Sequence, residues 1–575
     1  MRITAIELEN FKGISDRVRV DLKPITLLFG ANSAGKSTIL HALLYLHDLI
    51  GQGHAHAGEL ALSPAHDLGG FRNVVHKNET KREIVLRLEL DLDGAYVDMP
   101  EYLPGYADME FDENSPSSER LEAESLVLRL AQDINAQMSS AAIEISVAWS
   151  EGYRLAWVRS YSVEINGVLF GRMQAAVDAL EAAITQINFE HPLLQSSEHE
   201  QWFEGFGRHY RPEEGNPRTE FEEKLRSMIS GGTEYAGTRD ITLAVLTKHR
   251  ALPEVGTCFR LGLVDRSSEA ALNEDIVRNM FVGMLSQAFV CPLEMALREI
   301  SGLRYLGPLR TIPPRDFEPS RFQDPARWSD GMAAWEALLT SDDSLINEVN
   351  DWMAKPDKLA SGCGVERTKV REVNSTLINW LLQQEDPSAS VDWWDVMADL
   401  EKTPEQSKIS LIDKNSNTRL QPRDVGVGIS QVLPVVVAAL EPSASLVCIE
   451  QPELHIHPAV QVGLGDLFIE GALKRGTQFL IETHSEHLIL RLLRRVRETT
   501  DGELPPGLPE VKPEHIGVLY VDNGEGGMHI TPLPIDETGE FTTRWPRGFF
   551  VEREDELFGL PPEGINDELA RMFPR

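Results

Sequence analysis

The chain opens with alternation. Met1–Leu8 sets apolar residues at every second position, as does Arg17–Leu22, and both predict strands with one buried face. Ile25–Phe29 is a short apolar run of strand character. Thr38–Leu46 follows as an unbroken apolar stretch of helical composition. Ile84–Leu92 alternates with period two. Ala142–Trp149 and Arg154–Gly167 predict a hairpin turning at Gly152. Helical patterns are expected at Ser118–Met138, Gly171–Phe189, Thr219–Met228 and Asp265–Gln287. The third opens with Thr219 and Glu222 at capping-box spacing. Gly302–Arg310 reads as a strand entering a turn, and 328–405 as mainly helical. Ile409–Asp413 and Thr418–Gln421 flank Lys414–Asn417 as a second hairpin. Two buried strands, Leu446–Ile449 and Phe479–Ile481, each run into polar residues. No heptad run and no internal repeat stands out.

These patterns divide the chain. Residues 1–95 are expected as the first part of an α/β domain, and 301–500 as its second part. Residues 96–300 read as a mainly helical insertion carrying the hairpin, and 501–575 as a C-terminal extension. A chain of 575 residues has ample material for several cores. At 42% hydrophobic residues it has a globular composition. No apolar run approaches the length of a membrane span, and the N-terminus lacks the apolar core of a signal peptide. A cytoplasmic protein without membrane contact is expected. The cysteines, Cys258, Cys291, Cys363 and Cys448, have no metal-ligand spacing and are expected as reduced thiols. The net charge of −35 excludes nucleic-acid binding through the average field. Contact with DNA or RNA would need a local basic surface or a partner; Arg491, Arg494, Arg495 and Arg497 make a local basic helix, expected first as a charged solvent face or head-interface helix and only second as a nucleic-acid contact.

The candidate chemistry starts at Gly30-Ala31-Asn32-Ser33-Ala34-Gly35-Lys36-Ser37, a P-loop between a predicted strand and a predicted helix. Glycines let the backbone curl so that N–H groups point at phosphate oxygens, and the following helix adds the positive end of its dipole. Asn32, Ser33, Ala34, Gly35, Lys36, Ser37 and Thr38 are therefore candidate ATP contacts. Lys36 would reach the terminal phosphates, and the Ser37 hydroxyl would sit on Mg²⁺. Leu446–Glu450 has Walker B logic, a buried strand delivering a carboxylate beside the metal. It continues as Gln451-Pro452-Glu453-Leu454-His455-Ile456-His457-Pro458. His484, at the end of the next strand, is placed to reach a γ-phosphate. Gly426, Gly428 and Ser430 open an apolar helix whose N-terminus can bind an anion, and Pro434 is expected in its first turn.

This order of motifs resembles the ABC-type ATPases of the SMC, RecF and overcoming-lysogenization-defect groups. The opening Ile3-x-x-Ile6-x-Leu8-x-Asn10-Phe11-Lys12-Gly13 is similar to their first strand. Tyr305-Leu306-Gly307-Pro308-Leu309-Arg310 and Trp545-Pro546-Arg547-Gly548-Phe549-Phe550 look like a bacterial ATPase family with an uncharacterised C-terminal domain, often linked to antiphage defence. The resemblance covers roughly residues 1–95 and 300–550. It implies a split head, because 414 positions separate Lys36 from Glu450. It also implies ATP and Mg²⁺ as ligands and a homodimer or higher oligomer closed by ATP. Gly428 and Ser430 would reach the γ-phosphate held by a second copy, and a protein effector, a nuclease or toxin, is the expected partner.

Gln451 departs from the pattern, where a second acid polarises water. An amide accepts no proton as a general base but can orient water. Slow hydrolysis is expected, with Glu453 as substitute base only if its loop turns it inward. The Q-loop glutamine of the pattern is not identifiable, and Phe71–His76 is the segment that could stand in its place. The alternative function is a self-contained nuclease–ATPase. Its only signals are Asp501 with Glu510 and Lys512, and the lone acid Asp522 on the Val518–Asp522 strand. A transporter subunit is disfavoured by the insertion and the lack of membranous sequence.

Overall fold

A computed structural model describes residues 1–51, 68–95, 97–103, 117–178, 181–188, 190–195, 243–247, 250–260, 271–315, 325–371, 405–524 and 527–546, with isolated positions 219, 317 and 319. The described residues fall into two compact units. One draws on Met1–Leu303, Gly517–Pro534 and Thr543–Arg575, the other on Arg304–Ile516 and Ile535–Thr542.

In the first unit, β1 (Arg2–Glu9) pairs with β2 (Val18–Asp21). β3 (Ile25–Phe29) is buried along its whole length and leads into α1 (Lys36–Gly51). The short α2 (Phe71–Val74) precedes β4 (Ile84–Asp91). On β4 the period-two expectation is met residue by residue. Ile84, Leu86, Leu88 and Leu90 are buried, while Arg87 and Glu89 on the other face meet Glu164 and Arg19. α3 (Ser117–Gln137) precedes β5 (Ser140–Ser150) and β6 (Leu155–Ile165), the expected hairpin. β7 (Val168–Gln174), β8 (Glu181–Ile187), α4 (Pro192–Gln195), β9 (Leu243–Leu246) and the long α5 (Ala271–Ser301) follow. Among the described residues β2-β1-β4-β5-β6-β7-β8-β9 form one antiparallel sheet. α5 packs on its buried face, where Phe289 meets Phe170 edge-on and accepts a 2.7 Å hydrogen bond at its carbonyl from the Tyr161 hydroxyl.

Two sequence expectations are corrected in this unit. Gly171–Phe189 forms parts of β7 and β8 rather than a helix. The turn Asn166-Gly167, at φ 52° and 75°, is a two-residue hairpin signal that sends the chain back along β6 before any helix can start. The stretch 96–300 is therefore a mixture: α3 and α5 accompany β5–β9, which extend the sheet begun by β1 instead of forming a separate helical body. Of the pattern at Thr219–Met228, residues 220–228 lie outside the described residues.

In the second unit, β10 (Leu303–Leu306) precedes α6 (Met332–Thr340) and α7 (Asp343–Ala354). β11 (Cys363–Arg371), β12 (Glu405–Asp413) and β13 (Thr418–Leu420) form a small antiparallel sheet. β11 corrects the helical reading of 328–405, because full-length pairing with β12 decides its state; 372–404 lie outside the described residues. Next come α8 (Val427–Leu440), β14 (Leu446–Glu450), α9 (Pro458–Arg475), β15 (Gln478–Glu482) and α10 (Glu486–Thr500). β14 lies between β10 and β15, parallel to β15. The last described strands, β16 (Ile516–Gly524) and β17 (Gly527–Pro532), form a hairpin of the first unit, with β16 beside β3. The fold is thus α/β, with mixed sheets flanked by helices, as expected for a P-loop ATPase. Among the described residues no helix is long and apolar enough to cross a membrane.

Candidate nucleotide site

In the first unit, β3 delivers the P-loop to the N-terminus of α1. Gly30 has φ 143°, and a Cβ there would lie 2.1 Å from the carbonyl oxygen of Val521. Gly35 has φ 97°, and a Cβ there would lie 2.2 Å from the Met528 methyl. Gly30 demands glycine for its conformation and its lack of a side chain, and Gly35 for its conformation, since the flexible Met528 methyl could move aside. Ser33 takes φ 63°, which completes the curl. The Lys36 ammonium, 3% exposed, donates to the carbonyls of Gly30 and Ala31, both at 3.0 Å. Asn32 and Ser33 are exposed, Ser37 is half-buried, and Thr38 is buried with its N–H on the Gly35 carbonyl at 2.9 Å. A glycine-built cradle with an internal ammonium at a helix N-terminus fits a triphosphate.

The Asn10-Phe11-Lys12 turn sits beside this loop's helix. Asn10 and Lys12 both have positive φ. The segment around α2 docks on the turn: Lys12 N–H donates to Val74 at 2.6 Å, and His76 N–H to Asn10 at 2.9 Å. The Lys12 ammonium meets His41 Nδ1 of α1 at 2.6 Å. Phe71–His76, the segment considered for the Q-loop, is therefore tied to the turn that holds α1.

In the second unit, β14 and β15 run in register, with Glu450 opposite Glu482. Glu450 is 8% exposed, and the Tyr305 hydroxyl donates to its Oε1 at 2.7 Å. Burial and this carboxylate hold the Tyr305 phenol well above its ordinary pKa. Gln451 has φ 44°, a conformation that side chains rarely adopt, and its N–H donates to the Glu482 carbonyl at 2.8 Å. Glu453 accepts from the Thr483 hydroxyl at 2.8 Å and from the His484 N–H at 2.7 Å. Both of its carboxylate oxygens are engaged by the segment that carries His484. Burial raises the Glu453 pKa, and these hydrogen bonds oppose the rise. Ser485 caps α10, accepting from Leu488 N–H at 3.1 Å.

The glycine-led helix differs from expectation in two ways. α8 starts at Val427, so Pro434 lies in its interior and not in its first turn. A mid-helix proline removes one hydrogen bond and crowds the preceding turn. Here its ring packs against the space over Gly331, whose φ of 78° and absent Cβ make room. The second difference concerns Ser430. In this chain it is fully buried, with its hydroxyl directed at the Pro422 carbonyl at 3.4 Å. The exposed N-terminal positions are Gly426 and Val427. Gly428 sits against the turn after β14, where a Cβ would meet the His455 carbonyl oxygen at 2.8 Å.

Sequence reasoning quoted Tyr305 and Arg310 only as part of a resemblance. Arg310 is buried and donates from Nη2 to the Glu450 carbonyl at 2.8 Å. Burial pulls its pKa down to about 10, against the opposing pull of Glu453 and Glu450. The basic helix α10 is internally neutralised. Arg495 and Arg491 pair with Asp466 at 2.8 and 3.1 Å, and Arg494 with Glu498 at 2.6 Å. Asp501 is the C-cap of α10. Among the described residues no group of three or more His, Cys, Asp or Glu is placed to hold a metal.

Two family models match the chain. "AAA ATPase domain" covers residues 1–146. "AAA domain, putative AbiEii toxin, Type IV TA system" covers residues 316–491. No curated protein matches. Among solved structures, an Smc head bound to the C-terminal winged-helix domain of ScpA is 10% identical at TM-score 0.38, covering 93% of this chain and 98% of its own. An Smc head with an extended coiled coil bound to the C-terminal domain of ScpA, from Pyrococcus furiosus, is 12% identical at TM-score 0.36, covering 97% and 98%. The SMC head of Thermotoga maritima is 8% identical at TM-score 0.33, covering 93% and 100%. At such scores these likenesses carry no argument.

Proposed function

We propose that this chain, whose two parts match AAA ATPase family models and whose motif order resembles the ABC-like ATPases, is a slow nucleotide switch that associates with copies of itself when ATP is bound. The observation that supports it most is the P-loop: its two glycine-only positions and the Lys36 ammonium held on loop carbonyls. Lys36 exchanges those carbonyls for phosphate oxygens, and the loop N–H groups other than those of Ala34 and Thr38, which serve Ala31 and Gly35, line the same anion. Mg²⁺ would supply charge neutralisation when bound; on the loop Ser37 would be its ligand, and Glu450 is the acid expected to serve it.

Gln451 orients the attacking water without taking its proton, which keeps hydrolysis slow. Glu453 acts as a tether of the His484 segment rather than as a base, since both its oxygens carry hydrogen bonds to that segment. His484 senses the terminal phosphate. The N-terminus of α8, through Gly426 and Gly428, is the part offered to a nucleotide on a second copy. Ligand-driven closure needs tighter binding by the closed state, and phosphate contacts across the interface supply it. A nuclease or toxin effector and a role in antiphage defence rest on the resemblance of Tyr305–Arg310 and Trp545–Phe550 to defence-linked ATPases.

The test is solution mass with and without a nonhydrolysable ATP analogue. The analogue is expected to double the mass, and Lys36→Ala, which removes the phosphate ligand, is expected to abolish both the doubling and analogue binding. A wild-type chain that binds the analogue and stays monomeric sinks the switch.

A further inference from the structure

The Tyr305–Arg310 stretch is built into the second unit more tightly than a surface turn requires. It leaves β10 and passes between α8 and the end of β14. Arg310 and Gln431 of α8 bind each other reciprocally: the Arg310 N–H donates to Gln431 Oε1 at 3.1 Å, and Gln431 Nε2 donates to the Arg310 carbonyl at 2.7 Å. The Arg310 guanidinium then donates from Nη1 to the Gln431 carbonyl at 3.4 Å and from Nη2 to the Glu450 carbonyl at 2.8 Å. Five residues earlier, Tyr305 holds the Glu450 carboxylate itself.

Four physical points separate this clamp from ordinary packing. A guanidinium at 3% exposure is costly to bury, and an apolar side chain of similar volume fills such a space at lower cost. Its two Nη bonds go to main-chain carbonyls of two different elements, the helix α8 and the strand end of β14. Its Nε is buried without a partner, so the side chain gives up one hydrogen bond to keep that fork. Gly331 frees the space: a Cβ there would lie 3.2 Å from the Arg310 Cβ and 3.1 Å from the Pro434 ring.

We infer that Arg310, together with Gln431, is the positioning pair that couples the state of the Glu450 carboxylate to the N-terminus of α8. A change in where Glu450 points is passed through its own carbonyl to Arg310, and from Arg310 to the first turn of α8, four residues before Gln431. The inference rests on the ATPase reading only in taking Glu450 as the residue that responds to nucleotide. It needs no second copy, because every group in the clamp belongs to one unit.

The experiment is hydrogen exchange at the Gly426–Ser430 amides, with and without a nonhydrolysable ATP analogue, in wild type, Arg310→Lys, Gln431→Leu and the double variant. Analogue affinity is measured separately by fluorescence, and steady-state kinetics alongside. In wild type the analogue is expected to slow exchange at these amides. Each single variant is expected to bind the analogue within about twofold of wild type, to lose the exchange response, and to lower kcat about tenfold with KM unchanged. The double variant is expected to be no worse than either single one, as for residues acting as a unit. Arg310→Lys keeps the charge and loses the fork, so a purely electrostatic role would leave the response intact and overturn the inference. Additive losses in the double variant overturn it as well. A wild-type chain that binds the analogue without any exchange response also overturns it while leaving the ATPase reading standing, whereas absence of analogue binding sinks that reading first. If Arg310→Lys does not fold, Gln431→Leu decides by the same readouts.

Discussion

At the scale of single residues, the chain places unusual backbone where chemistry is expected. Gln451 takes φ 44° directly after the Walker B acid, and His455 takes φ 60° four residues on. Non-glycine residues in this region cost of order 1–2 kcal/mol each and persist where surroundings over-determine them. The Gln451 N–H bond to Glu482 is one such constraint. A glutamate adopts this backbone as readily as a glutamine, so Gln451→Glu leaves the main chain alone and exchanges a neutral amide for a carboxylate that can accept a proton. It is expected to raise ATP turnover by about tenfold or more, the low end or below of what a general base contributes. Phosphate release at saturating ATP checks it, and equal or lower turnover removes Gln451 from the water-orienting role. The identity of this residue was legible in sequence. The role of Glu453 was not, because its partners Thr483 and His484 lie about 30 positions away.

At the scale of elements, α10 illustrates how a charge pattern misleads when its partners are distant. Four arginines within seven positions read as a charged solvent face or interface helix that could also touch nucleic acid. In the fold, Arg495 is 6% exposed along its side chain and forms a two-pronged pair with Asp466 of α9, itself 7% exposed. Arg494 on the same helix is 57% exposed and meets Glu498 one turn on. Removing Arg495 takes away two hydrogen bonds to Asp466 and leaves it only the longer one from Arg491, so Arg495→Ala is expected to cost about 2 kcal/mol or more. Arg494→Ala is expected to cost less than about 1 kcal/mol. The comparison of urea midpoints decides, and equal effects would mean that Asp466 finds another cation or water. Other elements were legible wherever the local pattern agreed with the fold, as on β4, and failed where a turn outranked a helical composition, as at Asn166-Gly167.

At the scale of the whole molecule, a net charge of −35 means that carboxylates outnumber their cationic partners in every plausible arrangement. Ladders such as Arg17 with Glu144, and Arg19 with Glu7 and Glu89, locally offset the excess on one sheet face. The remaining repulsion opposes compactness and is screened by salt. Raising ionic strength from low to physiological is therefore expected to raise the Tm by about 2 °C or more. A fall in Tm would show that attractive ladders outweigh the repulsion. The division into two units also belongs to this scale: the β16–β17 hairpin, read from sequence as an extension, joins the unit that contains the P-loop.

The amino-acid sequence by itself determined the phosphate loop, the acid-tipped strand, the glycine-led helix and the strand periods. Each of these is specified by neighbours a few positions apart, through turn chemistry and alternation. Only tertiary structure decided that Ser430 turns inward to Pro422 and that Glu453 serves the His484 segment. It also decided that Arg310 reaches a carbonyl 140 positions away. A buried polar group must find a partner, yet which distant carbonyl or carboxylate supplies it depends on how the elements pack, and that information is not local to any stretch of chain.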